Sequence, residues 1–184
     1  GISLISASLA QEPFGFFFSL IIGGIAVGIV EVAVNLEADR VEYHIDKRIM
    51  NRSHSFWSLG FFTAGLFGAL FSQVQISPTV HFATSFFVAS LLALYFSFRY
   101  RAAKLRPNPN DKTSTFVVPN KGVLALVIFT LSAMLIEGAG IDWSVIFMRD
   151  IFGTPAFVNG TALFLGAFAQ FLVRYFADSI VERY

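Results

Sequence analysis

Residues 14–35 read FGFFFSLIIGGIAVGIVEVAVN, an apolar run interrupted by a single charge, Glu31. A membrane-crossing helix needs about 20 mostly apolar residues, and this run supplies them. Four further stretches meet or approach that length, at 53–74, 78–98, 122–147 and 155–173. Residues 1–10, GISLISASLA, look like the tail of a sixth span whose beginning is missing. They carry no basic n-region, which argues against a signal peptide. None of the apolar runs alternates with period two, so a transmembrane β-barrel is rejected. The fold expected is all-α: a polytopic membrane helical bundle of about five spans plus a stub.

Composition supports the same solvent. Hydrophobic residues make up 55% of the 184 and charged residues 14%, with 23 phenylalanines. An average soluble domain is about 25% charged, so this chain lacks the polar residues to cover a watery surface. Its mean hydropathy is +0.68. A net charge of +1 offers no basic face to phosphates, so no nucleic-acid partner is expected. With no cysteine, disulfides, thiolate metal sites and cysteine nucleophiles are excluded.

Lys and Arg accumulate in cytoplasmic loops, and their distribution here gives an orientation. The connection after the first run, residues 40–52, holds Arg40, Lys47, Arg48 and Arg52. The connection after the third run, residues 99–121, holds Arg99, Arg101, Lys104, Arg106, Lys112 and Lys121. The intervening connections hold only Arg149. This alternation places loops 40–52 and 99–121 in the cytoplasm. The longer loop, RYRAAKLRPNPNDKTSTFVVPNK, has three prolines and no helical period, marking a boundary between two bundles. Residues 1–98 then end an N-terminal bundle (stub plus three spans), and 122–184 begin a C-terminal one with two spans.

A carboxylate inside a membrane helix is a functional hypothesis by default. Glu31 is the first, with Asn35 one turn on and on the same face. Its alternative placement is at the interface, since Glu37, Asp39 and Arg40 follow closely. Glu137 is the second, past the middle of its run and followed by Gly138 and Gly140, which predict a weakened helix there. Asp142 and Trp143 come next, with Trp143 read as a stacking platform or an interfacial anchor. His54 opens the second run as a candidate for proton traffic, and Trp57 shares its face. His81 and Gln170 read as interhelical hydrogen-bonding groups. The glycines of GGIAVGIV lie within a span, so they form no phosphate cradle. No nucleophile elbow or metal-ligand cluster appears, and His44 and His54 lack a third ligand. No enzyme, metal or cofactor is expected.

Several segments resemble the major facilitator superfamily of transporters, and more narrowly its fucose-permease-like sugar:proton symporters. Residues 29–70, IVEVAVNLEADRVEYHIDKRIMNRSHSFWSLGFFTAGLFGAL, resemble the fourth span, inner loop and fifth span of that branch. There a Glu is followed four residues later by Asn, then by a pattern matched here by Met50, Asn51, His54, Phe56, Ser58 and Gly60. Residues 137–153, EGAGIDWSVIFMRDIFG, are similar to the start of the second half. The ending ADSIVERY resembles a degenerate gating motif through Asp178 and Arg183, with Ser179 where Arg or Lys is usual. The resemblance covers spans four to eight of twelve. It implies a secondary active transporter moving a small organic solute, a sugar, by proton-coupled alternating access in a bacterial inner membrane. Glu31 then matches the carboxylate associated with protonation and sugar binding. Asn35, His54 and Trp57 match cavity-facing positions. Two competing readings are an exporter of another small solute and a non-transporting truncated membrane subunit. The sequence is read as an incomplete record of a longer chain.

Overall fold

The computed structural model describes residues 1–105, 107 and 118–183, and every regular element among them is an α-helix. They are α1 (Ile2–Leu9), α2 (Pro13–Ile45), α3 (Met50–Gln73), α4 (Pro78–Ser97), α5 (Lys121–Phe152) and α6 (Ala156–Val181). Five of them, all but α1, are long and apolar enough to cross a membrane. In hydrocarbon no water is present to satisfy a backbone amide, so continuous helix is the form these runs must take.

Their ends follow local chemistry. Pro13 and Pro78 occupy first-turn positions, where the missing N–H costs nothing. Ser77 Oγ accepts from Val80 N, and Asn120 Oδ1 accepts from Val123 N at 2.9 Å, each capping a helix. Gly153 closes α5 at φ 60°, a left-handed conformation that glycine adopts without strain.

The helices outrun the apolar stretches that announced them. α2 continues ten residues past Asn35 to Ile45 and carries Glu37, Asp39 and Arg40 as helical residues. Its 33 residues amount to about 50 Å at 1.5 Å each, more than a hydrocarbon core of about 30 Å. Hydropathy stops at the water boundary, but the hydrogen-bond ladder does not. Arg40 therefore belongs to α2 and Arg52 to α3, leaving Lys47 and Arg48 in the connection itself. Arg149 likewise lies in the last turn of α5. Of the central loop's basic residues, Arg106 and Lys112 lie outside the described residues, as does Tyr184 at the chain's end.

A second correction concerns α5. It runs without interruption through Gly138 and Gly140, where a weakened helix was expected. A glycine costs a helix only about 1 kcal/mol relative to alanine, less than leaving amides unsatisfied in lipid.

The tightest packing joins α3 to α6, with α5 beside α6 and α1 against α2 and α4. At the α3–α6 seam Phe62 meets Phe164 edge-on and Phe168 at 5.1 Å, while Ala69, Phe164 and Ala167 are buried. Gly160 of α6 faces Ala69 so closely that an added Cβ would stand 2.5 Å from the alanine's own. Small residues at such a crossing let two backbones approach. α1 is tied in by hydroxyls: Ser19 Oγ donates to Ser6 Oγ at 3.1 Å and Ser8 Oγ to Thr79 Oγ1 at 3.0 Å.

His81 departs from expectation. Its ring packs against Phe71 at 5.1 Å and Phe82 at 5.6 Å, and no side-chain hydrogen bond is described for it. An aromatic ring between phenylalanines is satisfied by edge and face contacts.

Gly160→Val should separate α3 from α6 and lower the stability of the protein by about 1–3 kcal/mol, as overpacking does. Gly24→Ala, where an added Cβ meets nothing within 4 Å, should be neutral or slightly stabilising. Thermal unfolding in detergent measures both, and equal melting of the two variants would discount the seam.

Candidate functional site

Two polar clusters flank α3, on successive turns of its sequence. The first lies between α2 and α3. His54 Nε2 and Asn35 Oδ1 are 2.9 Å apart, joining the two helices inside their apolar stretches. Glu31, Asn35, His54 and Trp57 line one small cavity with Val30, Val34 and Ser53. Helical period explains the grouping: Glu31 and Asn35 are four apart on α2, His54 and Trp57 three apart on α3. The Trp57 indole continues toward Phe61, 6.1 Å away between ring centres. Glu31 itself is exposed and has no hydrogen-bond partner among the described residues.

The second cluster joins α3, α5 and α6 in a closed ring. Ser58 Oγ donates to Gln170 Oε1 at 2.9 Å, and Gln170 Nε2 donates to Glu137 Oε1 at 2.6 Å. Arg174 Nη2 reaches the same carboxylate oxygen at 3.2 Å, and Arg174 Nη1 returns to Ser58 Oγ at 3.2 Å. Ser58 is fully buried, whereas Glu137 and Arg174 keep side-chain exposures of 39% and 29%. Glu137 and Gln170 also line a groove of about 430 Å³ between α5 and α6.

Sequence reasoning missed Arg174 and Ser58 as members of this ring. The apolar stretch stops at Val173, so Arg174 falls just outside it by composition, whereas α6 runs on to Val181. The signal available was its spacing: Arg174 falls four residues after Gln170 and four before Asp178, on one face of one helix.

Asp142 and Trp143 fall elsewhere. Both are exposed, Trp143 at 64%, and neither lines the groove or the cavity. They lie five and six residues past Glu137, and a 3.6-residue period turns both away from the face that Glu137 shares with Gly140 and Ile141.

Asp178 is 2% exposed and serves α3. Its Oδ1 accepts from Asn51 Nδ2 at 2.7 Å and Asn51 N at 3.3 Å, and its Oδ2 from Arg52 N at 2.8 Å. Glu42 Oε1 accepts from Ile49 N at 2.6 Å and Met50 N at 2.7 Å. The first intrahelical bond then runs from Ser53 N to Ile49 O at 2.8 Å. The four amides that a helix start leaves unsatisfied are thus taken by two carboxylates, one from α2 and one from α6. This explains how Ile49, which has no capping side chain, can precede a helix. Arg52 lies 5.2 Å from the centre of the Tyr175 ring, and Arg48 N donates to Glu182 Oε1 at 3.1 Å. Arg183 follows in the terminal turn after α6.

The start of the central loop folds back on α2. Ala103 N donates to Glu37 Oε1 at 2.6 Å, and His44 Nε2 lies 2.9 Å from Lys104 O. A hydrogen bond to Glu37 also raises the Tyr100 phenol above its ordinary range, because it stabilises the protonated form.

Across all 184 residues the chain is 27% identical to an uncharacterised transporter of Sinorhizobium fredii, covering 48% of that relative. Over 176 residues, 95% of the chain, it is 26% identical to an uncharacterised MFS-type transporter of Yersinia pestis, covering 44% of it. The chain spans about half the length of the curated relatives it matches. No family model matches, and no solved structure does. The similarity is to transporters of the major facilitator type, without reaching any narrower branch. Together with five apolar helices it marks an integral, multi-pass membrane protein.

Asp178→Ala should leave the Asn51 and Arg52 amides unpaired in a buried place and cost about 1–3 kcal/mol. Asp178→Asn, which keeps an acceptor, should lose less. Unfolding followed in lipid nanodiscs gives both values, and wild-type stability in the alanine variant would contradict the capping role.

Proposed function

We propose that this chain is part of a secondary active transporter that moves a small organic solute, a sugar, by proton-coupled alternating access. The observation that carries the reading is the grouping of Glu31 with Asn35, His54 and Trp57 in a chain similar along its length to two transporters. A carboxylate with no cation paired to it among the described residues is the residue type that takes up and releases a proton as its access changes sides. The Asn35 amide, the His54 ring and the Trp57 indole supply the hydrogen-bonding and stacking surfaces that a hydroxyl-rich ring needs. In this reading Glu31 carries the proton, and Asn35, His54 and Trp57 contact the solute.

Residues 1–98 and 122–184 then belong to two bundles that rock about a shared site, with 99–121 as the connection between them. Loops 40–52 and 99–121 face the cytoplasm of a bacterial inner membrane. The junction of Asp178 with the start of α3 supports a gate at that side, joined by Arg183. Glu137 borders the solute path from the second bundle, whereas the exposed positions of Asp142 and Trp143 lend them no support as cavity residues.

Glu31→Gln should abolish sugar accumulation driven by an imposed pH gradient and leave solute exchange at equal pH intact. Uptake of a labelled hexose into proteoliposomes containing the full-length protein tests this. Undiminished gradient-driven accumulation in the variant would remove Glu31 from the mechanism.

A further inference from the structure

The ring of Ser58, Glu137, Gln170 and Arg174 has a feature that the transport reading leaves unused. Both described contacts to the Glu137 carboxylate fall on one oxygen, Oε1, which takes Gln170 Nε2 and Arg174 Nη2. Its second oxygen has no partner among the described residues, and Glu137 borders the groove of about 430 Å³. Arg174 is not among the groove's lining residues. Its guanidinium is held between Glu137 and the buried Ser58 hydroxyl. The groove therefore presents a hydrogen-bond acceptor whose negative charge is offset by a cation bound on its far side.

Resting on the transport reading, we propose that Arg174 is a specificity-determining residue of this groove. By compensating Glu137 it makes the groove a site for an uncharged solute that donates hydrogen bonds. Each charge class of solute meets a different obstacle. An ammonium group must share Glu137 with a guanidinium already bound to it, so it gains little attraction in exchange for its hydration. A carboxylate meets the exposed side of Glu137 first and is repelled, since the guanidinium lies behind that group. A hydroxyl needs only an acceptor, and Glu137 together with the Gln170 amide supplies acceptor and donor side by side. Phe61 lines the groove with an aromatic ring, and Gly140 and Gly166 contribute no side chain to it.

The test uses galactose, galactosamine and galacturonate, ring solutes of matched shape that differ in charge. It is run at mildly acidic pH, where the amine is protonated and the acid ionised. The full-length protein is held in nanodiscs without any gradient, and binding is read as ligand-induced thermal stabilisation. Wild type should be stabilised most by galactose. R174Q, which leaves Glu137 uncompensated, should shift preference toward galactosamine by about tenfold or more, as an unshared carboxylate binds an ammonium. E137Q, which frees Arg174, should shift it toward galacturonate by a similar factor. The double variant E137Q/R174Q should prefer galactose again, an outcome that a purely structural role would not produce. Should R174Q fail to fold, E137Q and the double variant carry the test.

An unchanged order of preference in every variant would overturn the proposal. So would a wild type that prefers a charged analogue or responds to none of the three. Because no gradient is applied, the result is independent of proton coupling. Undiminished gradient-driven accumulation in Glu31→Gln with the charge shifts present would count against the Glu31 reading alone, and loss of that accumulation in Glu31→Gln without the charge shifts would count against Arg174 alone.

Discussion

Between α3 and α6 the groups withdrawn most completely from the surroundings are Ser55, Ser58, Asn159 and Asp178, beside Ala69, Phe164 and Ala167. The large apolar side chains of α2, α4 and α5 point outward instead, with Phe129 at 77% and Ile136 at 75% exposure. In water this arrangement would be ruinous. In a bilayer it is the expected one, because lipid is as apolar as leucine and hydrophobic burial no longer brings helices together. Close backbone approach at Gly160 and hydrogen bonds among the buried polar groups take over that task. The ring of Ser58, Glu137, Gln170 and Arg174 and the capped start of α3 both hang on this seam.

α3 is the element that the remaining contacts share. His54 reaches across to Asn35 on α2, and Ser58, four residues later, reaches Gln170 and Arg174 on α6. The two residues are a turn apart, so partners from both sides of α3 meet it at nearly the same depth. The Glu137 carboxylate comes from α5, which reaches the seam through α6. A shift of α3 against either neighbour would therefore be felt in one cluster or the other.

The number of spans was legible because twenty apolar residues in a row admit few other interpretations. The grouping of Glu31 with Asn35, and of His54 with Trp57, was legible for a similar reason: spacings of three and four decide which residues share a helix face. The ends of the helices were not. Hydropathy records where lipid stops, whereas α2 goes on through Glu37 and Arg40, which form an i,i+3 pair at 3.2 Å in its last turns. Arg174 escapes notice for the same reason: the apolar stretch stops at Val173, whereas the helix continues and the arginine's charge is answered by Glu137. That partner lies thirty-seven residues away on another helix, and no local pattern announces it. Asp142 and Trp143 were chosen for nearness in sequence to Glu137, when rotation around the helix decides which residues meet.

The start of α3 is held on two sides, by Glu42 from α2 and Asp178 from α6, and its other end meets α6 again, where Ala69 packs on Gly160 and Gln73 Oε1 accepts from Phe157 N at 3.0 Å. Two carboxylates engaging four consecutive amides fix direction as well as position, in the manner of a clamp. A helix of 24 residues is a rod about 36 Å long. Because α6 holds that rod near both ends, at Asp178 and at Gly160, α3 cannot tilt away from α6 without opening the Ala69 contact. A displacement at either end of α3 is thereby carried into α6, and the two helices form one stiff unit rather than two separate rods.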